Sequence, residues 1–273
     1  MTYFDTSTAH VVALHGSASS SKQWQSLVAY LEDRFTVITP DLPGYGTNKE
    51  TGVLPGLAGD ATSVISEMER IGEPVHLVGH SYGGAIALKI ALMRPDLLAS
   101  LTVYEPVMFS LLMGANVRHM NLFGEIAGVA NSIQNSILSD CPETGMKDFF
   151  EFWNGTDTWG SLPNAVRDHL TSQAEPVNRN FVRASEDKTR VQDLSVINVP
   201  TMIMTGLESP AVTQQLAGMV ARAIPGAKLA MLPGLGHMAP MEAADWVNPR
   251  ILHHVNEVEQ YRVTGISTVR WVA

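Results

Sequence analysis

Val75-His76-Leu77-Val78-Gly79-His80-Ser81-Tyr82-Gly83-Gly84 runs from an apolar β-type segment straight into the helical spacing of Ile86 to Met93. Within it, Gly79 to Gly83 match G-x-S-x-G. The pattern has meaning in this strand–turn–helix setting, where a serine on a strained turn projects its hydroxyl above the end of a sheet. The flanking glycines follow from sterics, because a Cβ at either place would collide with so tight a turn. A bare match arises by chance in about one chain in ten of this length. The strand before it and the helix after it single out Ser81 as a candidate nucleophile.

The same alternation continues on both sides. His10 to Leu14 is a short apolar run, and Trp24, Leu27, Val28 and Leu31 then recur at helical spacing after a Ser-rich start. Phe35 to Ile38 is a second run, closed by Pro40-Asp41-Leu42-Pro43-Gly44; Ala61, Val64, Ile65 and Met68 share a helical face, and Leu101 to Tyr104 is a fourth run. Strands apolar on both faces, alternating with helices, predict an α/β fold with a mostly parallel sheet covered by helices on both sides. From Val107 to Asn198 the strand-like runs give way to Met, Phe, Trp, Asn and Ser at helical spacing. The alternation resumes with a strand at Pro200–Thr205, a helix near Ala211–Ile224, a strand at Lys228–Leu232 and a final helix. The chain thus divides into a first part of an α/β core (1–106), a mainly helical insertion (107–198) and a second part of the core (199–273). Alternating apolar residues in Tyr261–Ala273 suggest an added edge strand.

Bulk composition narrows the function. The 273 residues suit one large domain with an insertion, and 45% hydrophobic against 16% charged residues can fill a core. A net charge of −9 argues against nucleic acid or anionic lipid as partner, since both need a basic face. Cys141 is the sole cysteine, which excludes an internal disulfide and a thiolate zinc site. The amino terminus MTYFDTSTAH has no signal-peptide pattern, and the apolar stretch from Val75 to Met93 is too interrupted to span a membrane. The expectation is a soluble, cytoplasmic protein acting on a small molecule, without membrane, metal or cofactor. There is no H-E-x-x-H, no Walker A pattern and no G-x-G-x-x-G after a strand, and Gly44-Tyr45-Gly46 stops after two glycines. Oligomeric state is not written in the sequence.

A serine hydroxyl needs a base beside it. Of nine histidines, His10, His76 and His80 lie within or beside strands and read as structural. His119, His169, His253 and His254 fall in helical or loop segments where exposure explains them. His237 follows the last apolar strand in the Gly-rich loop Pro233–Gly236, at the carboxyl edge where parallel sheets bind ligands; it is the candidate base. His15-Gly16-Ser17 closes the first strand at the same edge. A turn there can aim the Ser17 N–H at a developing oxyanion, beside the N–H of Tyr82.

Together the HG turn at His15, the D-x-P-G-x-G loop at Asp41–Gly46, GHSYGG at Gly79–Gly84 and the late His237 resemble the α/β-hydrolase family over nearly the whole chain. The resemblance implies a helical cap after the sixth strand of the family, matching Val107–Asn198, and a structural Asp41. Two departures stand out. Only a short segment precedes the His10 strand, so the first two strands of the family are expected to be missing or rudimentary. The family usually places its triad acid as Asp in G-x-x-D after the strand at Thr201–Thr205, but here the stretch is Gly206-Leu207-Glu208-Ser209, with Ser209 in the Asp position. Some relatives, haloalkane dehalogenases among them, carry the acid at the end of the preceding strand, where this chain has Glu105. Glu105 is the preferred acid and Glu208 the alternative. Dehalogenases and epoxide hydrolases of this fold use Asp as nucleophile, in the place of Ser81.

Met108, Phe109, Met113, Met120, Phe123, Phe149, Phe150, Phe152, Trp153 and Trp159 crowd the insertion. Most read as core, and collectively they suggest a covered, mainly apolar pocket. The resemblance thus implies a serine esterase that forms an acyl-enzyme with a small, uncharged ester, lactone or related acyl compound. A C–C bond hydrolase acting next to a carbonyl, an acyltransferase and a non-catalytic ligand-binding protein of the same fold are the alternatives.

Overall fold

The computed structural model describes residues 9–48, 55–114 and 116–264. Its strands are β1 (His10–Leu14), β2 (Thr36–Ile38), β3 (Val75–His80), β4 (Leu98–Tyr104), β5 (Thr201–Gly206) and β6 (Lys228–Leu232). They form one sheet in the order β2-β1-β3-β4-β5-β6, and every neighbouring pair is parallel. The helices α1 (Gln25–Leu31), α2 (Gly56–Ile71), α3 (Tyr82–Met93), α8 (Ala211–Ala223), the short α9 (Ala239–Glu242) and α10 (Ala244–Thr264) pack on its two faces.

Successive strand side chains point to opposite faces, and the core divides accordingly. Val11 and Ala13 of β1 pack with Trp24, Leu27, Val247 and Ile251 under α1 and α10. Val12 and Leu14 join Leu57, Ala61, Ile86 and Ile90 from α2 and α3. Both central strands, β3 and β4, are buried along their whole length, which is why they read as continuous apolar runs and not as alternating ones.

Between β4 and β5 the chain is helical: α4 (Val117–Leu138), α5 (Pro142–Asn154), α6 (Asn164–Thr171) and α7 (Ala174–Glu186). A charged contact ties this segment to the sheet layer. Asp60 of α2 is fully buried, accepts from the Tyr82 hydroxyl at 2.6 Å and pairs with Arg183 of α7. Removing one partner from such a pair strands a charge out of water, which is far costlier than losing an exposed salt bridge.

Three expectations need correcting. The Ser-rich start of the first helix caps nothing: Ser20 makes no side-chain cap bond, a 3-10 turn at Ser21–Trp24 precedes α1, and Asp41 Oδ1 accepts from the Ser21 N–H at 2.7 Å. His254 is buried on α10, where its Nε2–H donates to the Pro200 carbonyl at 3.3 Å. Tyr261 to Thr264 continue α10, because Val247, Ile251, Val255 and Val258 hold one helical face against the core. The rest of the expected edge strand, 265–273, lies outside the described residues, as does the segment 1–8 that precedes β1. Among the described residues no helix is long and apolar enough to cross a membrane.

Candidate active site

Ser81 sits between the end of β3 and the start of α3 with φ 54° and ψ −117°. An L-residue held there stores roughly 1–3 kcal/mol of strain. The surroundings hold it: the Ser81 N–H donates to the Tyr104 carbonyl at 3.0 Å, and the Ser81 carbonyl accepts from Ala85 and Val107. The glycines are a steric necessity. A Cβ on Gly79 would lie 2.5 Å from the Gly83 carbonyl oxygen, and one on Gly83 would lie 2.4 Å from that of Leu14.

His237 reaches Ser81 from the loop after β6. The Ser81 hydroxyl donates to His237 Nε2 at 3.0 Å, and His237 Nδ1–H donates to Glu105 Oε2 at 2.6 Å. All three side chains are buried. Glu105 follows β4 with a positive φ of 46°, and its second oxygen, Oε1, accepts from the Thr205 hydroxyl and the Gly206 N–H, both at 2.8 Å. Burial works to raise the carboxyl pKa, but the hydrogen bond and charge of His237, with the hydroxyls around it, outweigh burial and hold it below the usual carboxylate range. Glu208 is placed differently: it is exposed on the outer wall, with its N–H bonded to the Leu235 carbonyl. Ser209 is the residue that turns inward there, buried at 6% exposure.

The histidine loop is clamped from below. His80 Nε2–H donates to the His237 carbonyl at 2.9 Å, and Gln23 donates to His80 Nδ1 at 3.1 Å while its Oε1 accepts from the Gly16 N–H. The Tyr104 hydroxyl donates to the Gly236 carbonyl at 2.7 Å. Burial, and then the neighbouring His237, push His80 well below the ordinary histidine pKa, so it serves as a neutral strut. On the opposite side the Trp153 indole stacks on the His237 ring, with centroids 4.2 Å apart.

Ser17 and Tyr82 border the same small cavity as Ser81. Tyr82 opens α3, so its N–H is among the donors left without an intrahelical acceptor. The Ser17 hydroxyl donates to Asn180 Oδ1 at 2.9 Å. Val107, Phe149 and Trp153 complete the opposite wall, and the cavity, about 10 Å³, is near the least that holds one water. Trp153 also borders an outer groove of about 620 Å³ together with His237, Glu208 and Glu242. Of the apolar residues expected over the pocket, Phe109, Phe149 and Trp153 line the cavity, whereas Met113 and Met120 are exposed at 55% and 47%.

Sequence reasoning missed Gln23, Thr205 and Asn180. The signal for Asn180 was present: it falls on the helical face formed by Ala174, Val177, Phe181 and Ala184, where a polar residue is out of place. Asp41 has a structural environment, with Oδ2 accepting from the N–H and hydroxyl of Thr47, and with no room for a Cβ on Gly46 opposite it. Although burial opposes it, the Ser21 N–H bond together with these bonds from Thr47 lowers its pKa to about 2. Among the described residues, no group of three or more His, Cys, Asp or Glu side chains could hold a metal ion.

Buried neutral histidines make the fold acid-sensitive. His15 Nδ1–H donates to the Gly16 carbonyl and its Nε2 accepts from the Leu42 N–H; burial lowers its pKa to about 4, against weaker raising effects of Gly16 and Asp41. Burial likewise takes His254 to about 4. Both groups titrate near 6.5 when unfolded. Between those values the unfolded chain binds more protons, so stability rises with pH across that window. Acidification is expected to start costing stability near pH 6.5, above the carboxylate range, and to reach roughly 3 kcal/mol at pH 4 from His15 alone. Urea unfolding at stepped pH measures this, and a flat profile between 6.5 and 4 would contradict it.

The model of the alpha/beta hydrolase family matches residues 11–250. The chain is 24% identical over 245 residues to the monoacylglycerol lipase abhd6-B of Xenopus laevis, spanning 85% of this chain and 71% of that one. It is 25% identical over 257 residues to the 2-hydroxy-6-oxononadienedioate/2-hydroxy-6-oxononatrienedioate hydrolase of Klebsiella pneumoniae, spanning 89% of this chain and 85% of that one. Among solved structures, MenH from S. aureus shares the fold with a TM-score of 0.74 at 21% identity, over 92% of this chain and 95% of that chain. With a parallel six-stranded sheet, a serine on a strained turn at the end of its third strand and a family match over most of its length, the chain belongs to the alpha/beta hydrolase family.

Proposed function

We propose that the protein is a serine hydrolase that forms an acyl-enzyme on Ser81 with a small, largely apolar carboxylic ester, lactone or related acyl compound. The observation that carries this reading is the unbroken chain of contacts from Ser81 Oγ through His237 to Glu105. In this reading His237 Nε2 takes the hydroxyl proton as Oγ attacks the acyl carbonyl. Glu105 stabilises the imidazolium and the Trp153 ring face adds cation–π attraction. The N–H groups of Ser17 and Tyr82 receive the oxyanion. His237 then protonates the leaving alcohol, and water repeats the sequence to release the acid.

The segment from Val107 to Asn198 acts as the cap over this site. Its cavity holds about one water, so the wall that includes Trp153 moves to admit substrate from the outer groove. The relative from Klebsiella pneumoniae acts, by its name, on dioates. No Lys or Arg lines this cavity to hold a carboxylate, and Glu208 and Glu242 make the approach acidic. Both features favour an uncharged acyl group. A fluorophosphonate probe is expected to label Ser81 and abolish hydrolysis of p-nitrophenyl butanoate in step. A folded sample that neither reacts with the probe nor turns over the ester, yet binds ligand, would instead be a non-catalytic member of the family.

A further inference from the structure

Asn180 is 1% exposed and lies on α7, bordering the cavity that also holds Ser81, Ser17 and Tyr82. Its Oδ1 is fully engaged: the Ser17 hydroxyl donates to it at 2.9 Å, and the Tyr45 hydroxyl donates to it as well. Burial pushes the Tyr45 phenol up, so that hydroxyl keeps its proton and stays a donor. The carboxamide is thereby oriented with oxygen towards the two hydroxyls and Nδ2 away from them. Nδ2 is shut off from solvent and has no protein partner. The other walls offer it nothing, being the apolar side chains of Val107, Phe109, Phe149, Trp153, Phe181 and Ala184. Buried donors are nearly always satisfied, and one left open at a site calls for an acceptor supplied from outside.

We propose that Asn180 is a substrate-binding residue whose Nδ2 donates to an acceptor oxygen on the acyl group, beyond the reacting carbonyl. This rests on the serine-hydrolase reading and narrows it to short, uncharged acyl groups carrying an ether, keto or hydroxyl oxygen. The geometry supports that placement. Asn180 borders the cavity beside Ser81 and holds the side chain of Ser17, whose N–H faces the reacting carbonyl in that reading, so its carboxamide is close to where the acyl group would sit. An apolar acyl chain leaves Nδ2 desolvated and unpaired, whereas an oxygen at that place pairs it.

The test compares p-nitrophenyl butanoate with p-nitrophenyl methoxyacetate, which differ by one methylene replaced with an ether oxygen. The ratio of kcat/KM for methoxyacetate over butanoate is measured for wild type, Asn180→Leu and Asn180→Val, with concentrations set by fluorophosphonate titration. The intrinsic reactivity of the esters cancels between proteins. The ratio is expected to fall about tenfold in both variants, the worth of one hydrogen bond to a buried donor, with most of the change in KM. If Asn180→Leu does not fold, the smaller Asn180→Val decides. An unchanged ratio, including equal losses on both esters, overturns the proposal, because equal losses mean that Asn180 only supports the turn at Ser17. Failure of the hydrolase reading is a different result: wild type would then turn over neither ester.

Discussion

Ser81→Ala is expected to lower kcat on p-nitrophenyl butanoate by about 10⁴-fold or more, the scale on which a serine hydrolase loses its nucleophile. The alanine keeps the small Cβ that the turn tolerates and removes only Oγ, so folding should be little affected. The backbone strain at φ 54° is held by the Tyr104, Ala85 and Val107 bonds, none of which uses the side chain. What remains is the pocket with the N–H groups proposed for the oxyanion, which would bind an ester but could not form the acyl-enzyme. Active-site-titrated kinetics against wild type measure it. A variant retaining more than about a tenth of the rate, far outside the loss expected for a missing nucleophile, would remove Ser81 from that role.

Glu105→Gln carries the second large expected effect, a loss of about 10³- to 10⁴-fold in kcat. The physical reason lies in the partners of Oε1. Thr205 and Gly206 both donate to that atom, so in the variant the amide oxygen stays on their side and the NH₂ faces His237. A donor facing Nδ1 makes Nδ1 the acceptor and shifts the ring proton to Nε2. In that tautomer the histidine has no lone pair with which to take the serine proton. Glu208→Gln, by contrast, changes an exposed side chain on the outer wall and should leave kcat within about twofold, as for surface substitutions generally. The pair of variants, assayed side by side with the pH profile of kcat/KM, separates the two carboxylates. Inactivation by Glu208→Gln with Glu105→Gln unaffected would transfer the role to Glu208.

Much of the fold could be read because the central strands are apolar on both faces and the turns between them carry glycine or proline. The strand at Val75, the turn at Gly79–Gly84 and the late loop at His237 need no long-range information: each is a local pattern placed at one edge of a parallel sheet. The choice between Glu105 and Glu208 was different. Both follow strands that end at that edge, and spacing alone cannot say which way a side chain leaves the strand. The φ of 46° at Glu105 and the outward turn of Glu208 are properties of the packed chain.

The same holds for Asn180, Gln23 and His254, whose partners lie far away in sequence. Asn180 meets Ser17 across 163 positions and Gln23 meets His80 across 57. The burial of His254 leaves little trace in sequence because the faces of α10 are mixed in polarity and its amphipathic pattern is weak. The edge strand expected at Tyr261–Ala273 is tested only to Thr264, where the chain continues α10.

The position of Glu105 at the end of a central, wholly buried strand has a consequence for how such a protein diversifies. In relatives that carry the acid after the next strand, that loop must keep its shape to hold the carboxylate. Here the Gly206–Pro210 turn is excused from supplying a carboxylate to His237, and its inward ties are the Thr205 hydroxyl, the Gly206 N–H and the buried Ser209. Leu207, Glu208 and Pro210 face the outer groove or solvent. Natural drift or a mutational library can therefore reshape the rim of the outer groove through those three positions while Ser81, His237 and Glu105 keep their contacts.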